Sequence, residues 1–216
     1  MRDWSEIPTL RGEFVLLRPT VLSDAAGLAR AHDDPETLRY FPYGIESAPP
    51  SAETVSHALE SGRQTLTIVD ARGAEVIGTT SIYNMSEHHR RVTVGYTWLS
   101  AGVRGSACNP ESKLLVLDHV FGTLRAARAE FNVDDLNTRS RRAVLAIGAT
   151  EEGSLRRHAR RRDGSWRTTI VYSIVDSEWP VVRERLADLV RRRSEPTGRV
   201  PAAAPGTDRF SKQETA

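Results

Sequence analysis

Apolar residues recur along this chain at two spacings, every second position and every third or fourth. Their alternation predicts strands and helices in succession. Glu13 to Arg18 reads as a short strand ended by Pro19, since a proline biases its predecessor toward extended geometry. Asp24 to Asp33 reads as a helix with Ala25, Leu28 and Ala29 inward behind an aspartate cap. Ser51 to Leu59 is a second helix, with Val55, Ala58 and Leu59 at helical intervals. Gln64 to Val69 and Glu75 to Tyr83 are β-rich runs around the turn-forming quartet Asp70-Ala71-Arg72-Gly73, which predicts a hairpin. Arg91 to Leu99 alternates so that both faces can be covered, as an internal strand requires.

The texture then changes. Ser100 to Pro110 is a run of small residues and glycines, with Asn109 as a predicted N-cap and Pro110 at the first helical position. Leu114, Leu117, Phe121 and Leu124 repeat at helical spacing behind it. Arg128 to Asp134 predicts a strand, and Asn137 to Ile147 a helix stopped by Gly148. Leu155 to Arg161 and Trp166 to Val175 flank Arg162-Asp163-Gly164-Ser165, a strong local hairpin signal. A helix from Trp179 to about Arg192 closes the pattern, and the Pro/Ala/Gly-rich segment after Ser194 has too little to bury and is expected to be disordered.

Strands and helices so interleaved imply one mixed α/β domain, over residues 10–193 of the 216. An apolar fraction of 39% suffices for a core, and 27% charged residues gives a soluble exterior. One cysteine, Cys108, allows no internal disulfide and no cysteine-rich zinc site, so no metal is expected. The N-terminus lacks a signal-type apolar run, and no stretch is apolar for long enough to cross a bilayer, which predicts a cytoplasmic protein without a membrane partner. The net charge of +2 is small but unevenly spread, with Arg156, Arg157, Arg160, Arg161, Arg162 and Arg167 crowding one segment. Such a field suits coenzyme phosphates, a ribosomal partner or solvent, and motivates a nucleic-acid-binding alternative, although no zinc finger or reading helix accompanies it.

Two units carry candidate chemistry. A glycine-containing loop entering a helix start presents backbone N–H groups and the positive end of the helix dipole, which together can hold a pyrophosphate without a metal. Its spacing matches neither the nucleoside-triphosphate loop nor the dinucleotide fingerprint. In the second unit, Asn137 and Ser140 stand one helical turn apart, as a cap with a surface serine or as an amide and hydroxyl offered to an elongated ligand. The segment Tyr40-Phe41-Pro42-Tyr43-Gly44 is either a packing plug or a substrate-cleft wall. His88 and His89 read as surface residues, His119 as cover for a helix's polar side, and Cys108 as an inert small residue despite its place near a helix start.

Four blocks taken in order, 94–99, 104–113, 137–143 and 148–156, make the chain resemble the GNAT (Gcn5-related) N-acetyltransferases, specifically their RimJ/RimL-like ribosomal-protein N-terminal acetyltransferase branch. The resemblance implies a split, mostly antiparallel central sheet flanked by helices, with acetyl-CoA as acetyl donor. It further implies that the backbone near Trp98 and Leu99 binds the pantetheine, and that Arg104, Gly105, Ser106, Ala107, Cys108 and Asn109 cradle the pyrophosphate. Gly105 and Ala107 match the family's two small positions, while Gly102 departs from its usual glutamine or arginine. Asn137 matches a coenzyme-contacting asparagine and Ser140 a serine near the thiol.

The implied reaction is direct attack of an amine on the thioester in a ternary complex, with an N–H near Trp98 or Leu99 stabilising the developing oxyanion. Glu130 and Tyr172 are candidates for base and acid. The acceptor is an amine on a peptide, a protein (a ribosomal protein included) or a small molecule, and the family suggests a homodimer. A non-catalytic acyl-CoA-binding or protein-interaction domain is the competing reading.

Overall fold

The computed structural model describes residues 4–42 and 44–194, so Tyr43 and the predicted C-terminal tail lie outside the described residues. Its strands are β1 (Leu10–Arg11), β2 (Val15–Pro19), β3 (Gln64–Asp70), β4 (Val76–Ser86), β5 (Arg91–Leu99), β6 (Arg128–Asp134), β7 (Thr150–Arg160) and β8 (Trp166–Val175). Its helices are α1 (Ala25–Ala31), α2 (Ala52–Glu60), α3 (Cys108–Leu117), α4 (Thr138–Ala146) and α5 (Trp179–Ser194). The strands form one sheet in the order β1-β2-β3-β4-β5-β6-β8-β7, antiparallel throughout except where β5 meets β6.

That exception creates the site. β5 and β6 run parallel and pair only at Arg91↔Arg128, Val92↔Ala129 and Thr93↔Glu130. Beyond Thr93 they splay, leaving a wedge between two half-sheets. A β-bulge in β5 helps to open it, because the step from Thr79 to Ser81 on β4 faces the longer step from Gly95 to Trp98 on β5. The bulge puts Tyr96 at φ 48°, in the left-handed region. It also presses the β5 backbone onto β4: a Cβ added at Gly78 would lie 2.1 Å from the Trp98 carbonyl oxygen. Glycine is therefore required at position 78.

The main core lies on the face covered by α3 and α5, where Leu17, Leu66, Ile82, Val92, Leu117, Ile174 and Leu186 are fully enclosed. Phe121 stacks on Trp179 with centroids 5.1 Å apart. A smaller cluster of Leu28, Ala31, Leu38, Val55 and Trp98 packs α1 and α2 against the opposite face.

Several elements depart from expectation for identifiable reasons. The helix predicted to begin at Pro110 begins at Cys108, so Asn109 is not its cap. Pro110 is then the third helical residue, where its missing N–H removes no intrahelical bond. The predicted helical spacing beyond Leu117 continues as a wider π-turn over Asp118–Thr123. β7 starts at Thr150 rather than Leu155, because pairing with β8 (Thr150↔Ser173, Glu151↔Tyr172) makes this solvent-exposed strand without any hydrophobic alternation. Asp24 precedes α1 but makes no side-chain cap. It is buried and accepts from Arg18 (2.6 and 2.8 Å), the Val21 N–H (3.0 Å) and the Thr67 hydroxyl (2.9 Å). Burial alone would raise its pKa, and these donors, Arg18 foremost, outweigh burial and lower it.

Candidate active site

A cavity of about 780 Å³ fills the wedge and opens to solvent. Past the last β5–β6 pair, β5 has no partner strand on the wedge side among the described residues, and Thr97, Trp98 and Leu99 line the cavity, although the Trp98 carbonyl faces Gly78 on β4 and the Leu99 carbonyl accepts from Arg104 at 3.4 Å. Trp98 itself is buried and meets His32 edge-on at 6.0 Å.

The loop after β5 is organised by carboxylates that follow α1. Asp33 accepts from the Ala101 N–H at 2.8 Å, and Asp34 pairs with Arg104. Arg104 also donates to the Thr37 hydroxyl at 2.6 Å. Arg104, Gly105 and Asn109 line the cavity; Ser106, Ala107 and Cys108 do not. Ser106 instead builds the loop, donating to the Val103 carbonyl (2.6 Å) and accepting from the Cys108 N–H (3.2 Å). Ala107 is enclosed, and Cys108 is buried with its thiol pKa pushed up by burial, the inert reading of that cysteine. Gly105 sits at φ 83° with open space where a Cβ would be. A concave backbone with a left-handed glycine, at the start of a ten-residue helix, fits a phosphate-bearing carrier.

At the other half-sheet, Asn137 and Ser140 both line the cavity. The Asn137 side chain accepts the Ser140 N–H at 3.0 Å, so it caps α4 and fixes Ser140 at the helix start. Phe41 and Tyr96 meet edge-on at 5.8 Å, and Tyr96 meets Tyr83 at 5.1 Å. Tyr40, Phe41 and Pro42 line the cavity, and Phe41 also packs against the smaller core cluster, so this segment both packs and faces the wedge.

Neither acid–base candidate reaches the cavity. Glu130 is outside its lining, in ion pairs with Arg128 (3.0 Å) and Arg91 (3.8 Å), at the end of β6 where the half-sheets are still joined. Tyr172 is fully buried in the main core, and its hydroxyl accepts from Arg141 at 3.0 Å. Alternation along β8 explains this: Arg167 and Thr169 face the cavity, and Tyr172 takes the opposite parity. His119, expected on a polar face, is buried, and burial lowers its pKa.

The basic segment also divides three ways. Arg156, Arg157 and Arg160 are exposed on β7, Arg161 is paired with Asp134 and Asp135, and Arg167 is inside.

Lys113 carried no sequence signal. It projects from α3 into the wedge, donates to the Thr97 hydroxyl at 2.9 Å, and lies 5.8 Å from the Phe131 ring centroid. As a residue it is only partly buried, but desolvation of its ammonium lowers its pKa to about 8. The unfolded chain, with an ordinary lysine, therefore binds more protons than the folded one between about pH 8 and about 10.4, so this residue makes stability rise with pH across that window. Lys113→Met is expected to stabilise the protein at pH 7 by roughly 1–3 kcal/mol, an advantage that fades between about pH 8 and about pH 10.4. Urea midpoints of both proteins at pH 7 and pH 10 check this, and a gap that widens at the higher pH refutes it.

Fold and site together define an acyl-CoA transferase scaffold, and the chain belongs to the GNAT family: residues 15–150 match the model described as "Acetyltransferase (GNAT) domain". It is an acetyl-CoA-dependent acetyltransferase. Among its relatives is Bacillus subtilis YoaA, named an uncharacterized N-acetyltransferase, 29% identical over 174 residues that span 78% of this chain and 97% of that protein. A crystal structure from T. thermophilus, described as a candidate acetyltransferase, is 35% identical with TM-score 0.74, covering 86% of this chain and 98% of that one. Mycobacterium smegmatis RimJ, solved in complex with CoA-disulfide, is 27% identical with TM-score 0.71, covering 88% and 96%. Among the described residues no group of His, Cys, Asp and Glu could hold a metal ion, and no helix is long and apolar enough to cross a membrane.

Proposed function

We propose that a single domain over residues 10–193 transfers the acetyl group to a primary amine, on a small molecule or a protein N-terminus, within a ternary complex. The observation that carries this is one continuous cavity running from Gly105 and Asn109, past the unpaired β5 edge and Ser140, to the Phe41–Tyr96–Tyr83 wall. It is long enough in its lining to hold a carrier at the Gly105 end and an amine at the aromatic end. The order of the sequence blocks and the likeness to a RimJ solved with a CoA derivative support the RimJ/RimL-like branch and coenzyme binding, and the left-handed Gly105 at the start of α3 favours that side.

In this reading the cavity-facing part of the loop, at Gly105 and at Asn109 in the first turn of α3, holds the pyrophosphate, while Ser106, Ala107 and Cys108 shape the loop from behind, and the Thr97 to Leu99 edge aligns the pantetheine as an added strand would. Bound acetyl-CoA supplies an activated acyl carbonyl and a thiolate leaving group. An N–H at Trp98 or Leu99 donates to the acyl oxygen as it gains charge. Ser140, held by the Asn137 cap, donates its hydroxyl toward the departing sulfur. An α-amine, with a pKa near ~8, gives up its proton to solvent at the cavity mouth without a strong base. Glu130 and Tyr172 have no part in it.

The test is release of free CoA thiol from acetyl-CoA, measured over a panel of amines and peptide N-termini. Binding of acetyl-CoA without thiol release above background from any acceptor would defeat the proposal. Ser140→Ala is expected to lower kcat by about 10- to 100-fold, the value of one hydrogen bond to a developing charge, with acetyl-CoA affinity nearly unchanged. Equal losses in kcat and in coenzyme affinity would place Ser140 in binding instead.

A further inference from the structure

Arg167 stands out among the cavity residues because, among the described residues, no carboxylate pairs with it directly. It is only 6% exposed, yet its guanidinium donates only to main-chain carbonyls, those of Asn132 (3.1 Å) and Tyr40 (3.5 Å), and its buried Nε–H has no partner. The nearest carboxylate, Asp134, is held by Arg161 through both oxygens at 2.8 and 2.9 Å. Tyr83, Tyr96 and Arg161 also lie within electrostatic range, and none is an anion at neutral pH. Tyr83 is further from ionising than an ordinary tyrosine, its pKa pushed up to about 12 by burial. His158, on the same cavity wall, is engaged with the Thr169 hydroxyl at 3.0 Å.

A buried guanidinium cannot shed its proton, and removing its charge from water costs heavily unless an anion meets it. Desolvation already pushes its pKa down. The fork bridges β6 and the Tyr40–Pro42 wall, whereas the α3 loop is held by Asp33, Asp34 and Thr37, so Arg167 is not part of the loop assigned to the coenzyme phosphates. Each terminal nitrogen keeps a second N–H besides the one given to a carbonyl, and a planar fork of this kind is shaped for a two-oxygen group.

We propose that Arg167 binds a carboxylate of the acceptor, so that the acetylated amine belongs to an amino-acid-like molecule or to a peptide N-terminus with an acidic residue beside it. This deepens, and rests on, the assignment of the wedge as the acetyl-transfer site. Both sources offer the same group to the fork, and experiment separates them.

Wild-type protein with acetyl-CoA is offered free amino acids against their carboxamides, and C-terminally amidated peptides beginning Ala-Asp or Ala-Glu against Ala-Asn or Ala-Gln. A preference of about 100-fold or more in kcat/KM for the carboxylate member of either series is expected, and the series that shows it names the source. In Arg167→Gln the preference should vanish through KM, with acetyl-CoA affinity unchanged. Arg167→Lys, which keeps the charge and is the control if the glutamine variant fails to fold, should restore only part of it. Calorimetric titration of N-acetylated amino acids against their amides into the CoA-bound protein gives the same comparison without turnover. Equal use and equal binding of acid and amide overturn the proposal even where acetyl transfer proceeds. Absence of both acetyl-CoA binding and thiol release instead defeats the transferase assignment beneath it.

Discussion

Gly105→Glu is expected to weaken acetyl-CoA binding by about 100-fold or more while leaving the fold intact. Two effects act together. Gly105 is at φ 83°, where an L residue costs roughly 1–2 kcal/mol. No atom lies within 4 Å of the added Cβ, so the side chain itself meets no clash and the strain is confined to the loop. The larger effect is electrostatic, since a carboxylate placed where backbone donors converge satisfies them itself and repels a pyrophosphate. Gly105→Ala carries only the backbone strain and should fall between wild type and the glutamate variant. Calorimetric titration with acetyl-CoA, beside thermal melts of all three proteins, separates binding from stability. Wild-type affinity and turnover in the glutamate variant would remove the α3 loop from the coenzyme site.

Loss of the Glu111 carboxylate should be strongly destabilising. Glu111 is 6% exposed, and its oxygens accept from the backbone N–H groups of Glu13 (2.9 Å), Phe14 (2.7 Å) and Val15 (2.8 Å). It thus ties α3 to the β1–β2 turn. Gly12 shares the arrangement, because a Cβ there would lie 2.4 Å from the Glu111 carboxyl carbon. Glu111→Ala strands one buried donor, at Val15, and two part-buried ones, at Glu13 and Phe14, at about 1–3 kcal/mol for the buried one and less for the others, so a net loss of about 3–5 kcal/mol is the upper range expected. At this chain length that lowers Tm by roughly 10 °C or more. Glu111→Gln keeps one acceptor but turns an NH2 toward the same donors, and should lose nearly as much. A Tm within about 2 °C of wild type would show that the turn has other support. Because α3 also carries the loop at Gly105 and the side chain of Lys113, the alanine variant should additionally raise the KM for acetyl-CoA.

Local patterning carried the strands from Gln64 to Leu99, β6, β8 and the two hairpin turns, since alternation and turn chemistry are properties of neighbours along the chain. The small-residue loop and the pairing of Asn137 with Ser140 were equally legible, because a loop-to-helix entry and a one-turn spacing are short-range geometry. Which side chains enter the wedge was settled only by the packed molecule. Parity along β8 relative to the core turned Tyr172 away and Arg167 inward, and Glu130 was placed where β5 and β6 are still joined. Glu111 took a structural duty because its donors come from a segment 96–98 residues away, and Asp24 because Thr67, 43 residues away, joins the nearby Arg18 and Val21 around it only in the folded sheet. Neighbouring residues thus set the inventory of elements and the chemistry of the loop. Where β5 parts from β6, and so what faces the cavity, depends on a bulge at Tyr96 and on the contacts of distant strands, which no local pattern encodes.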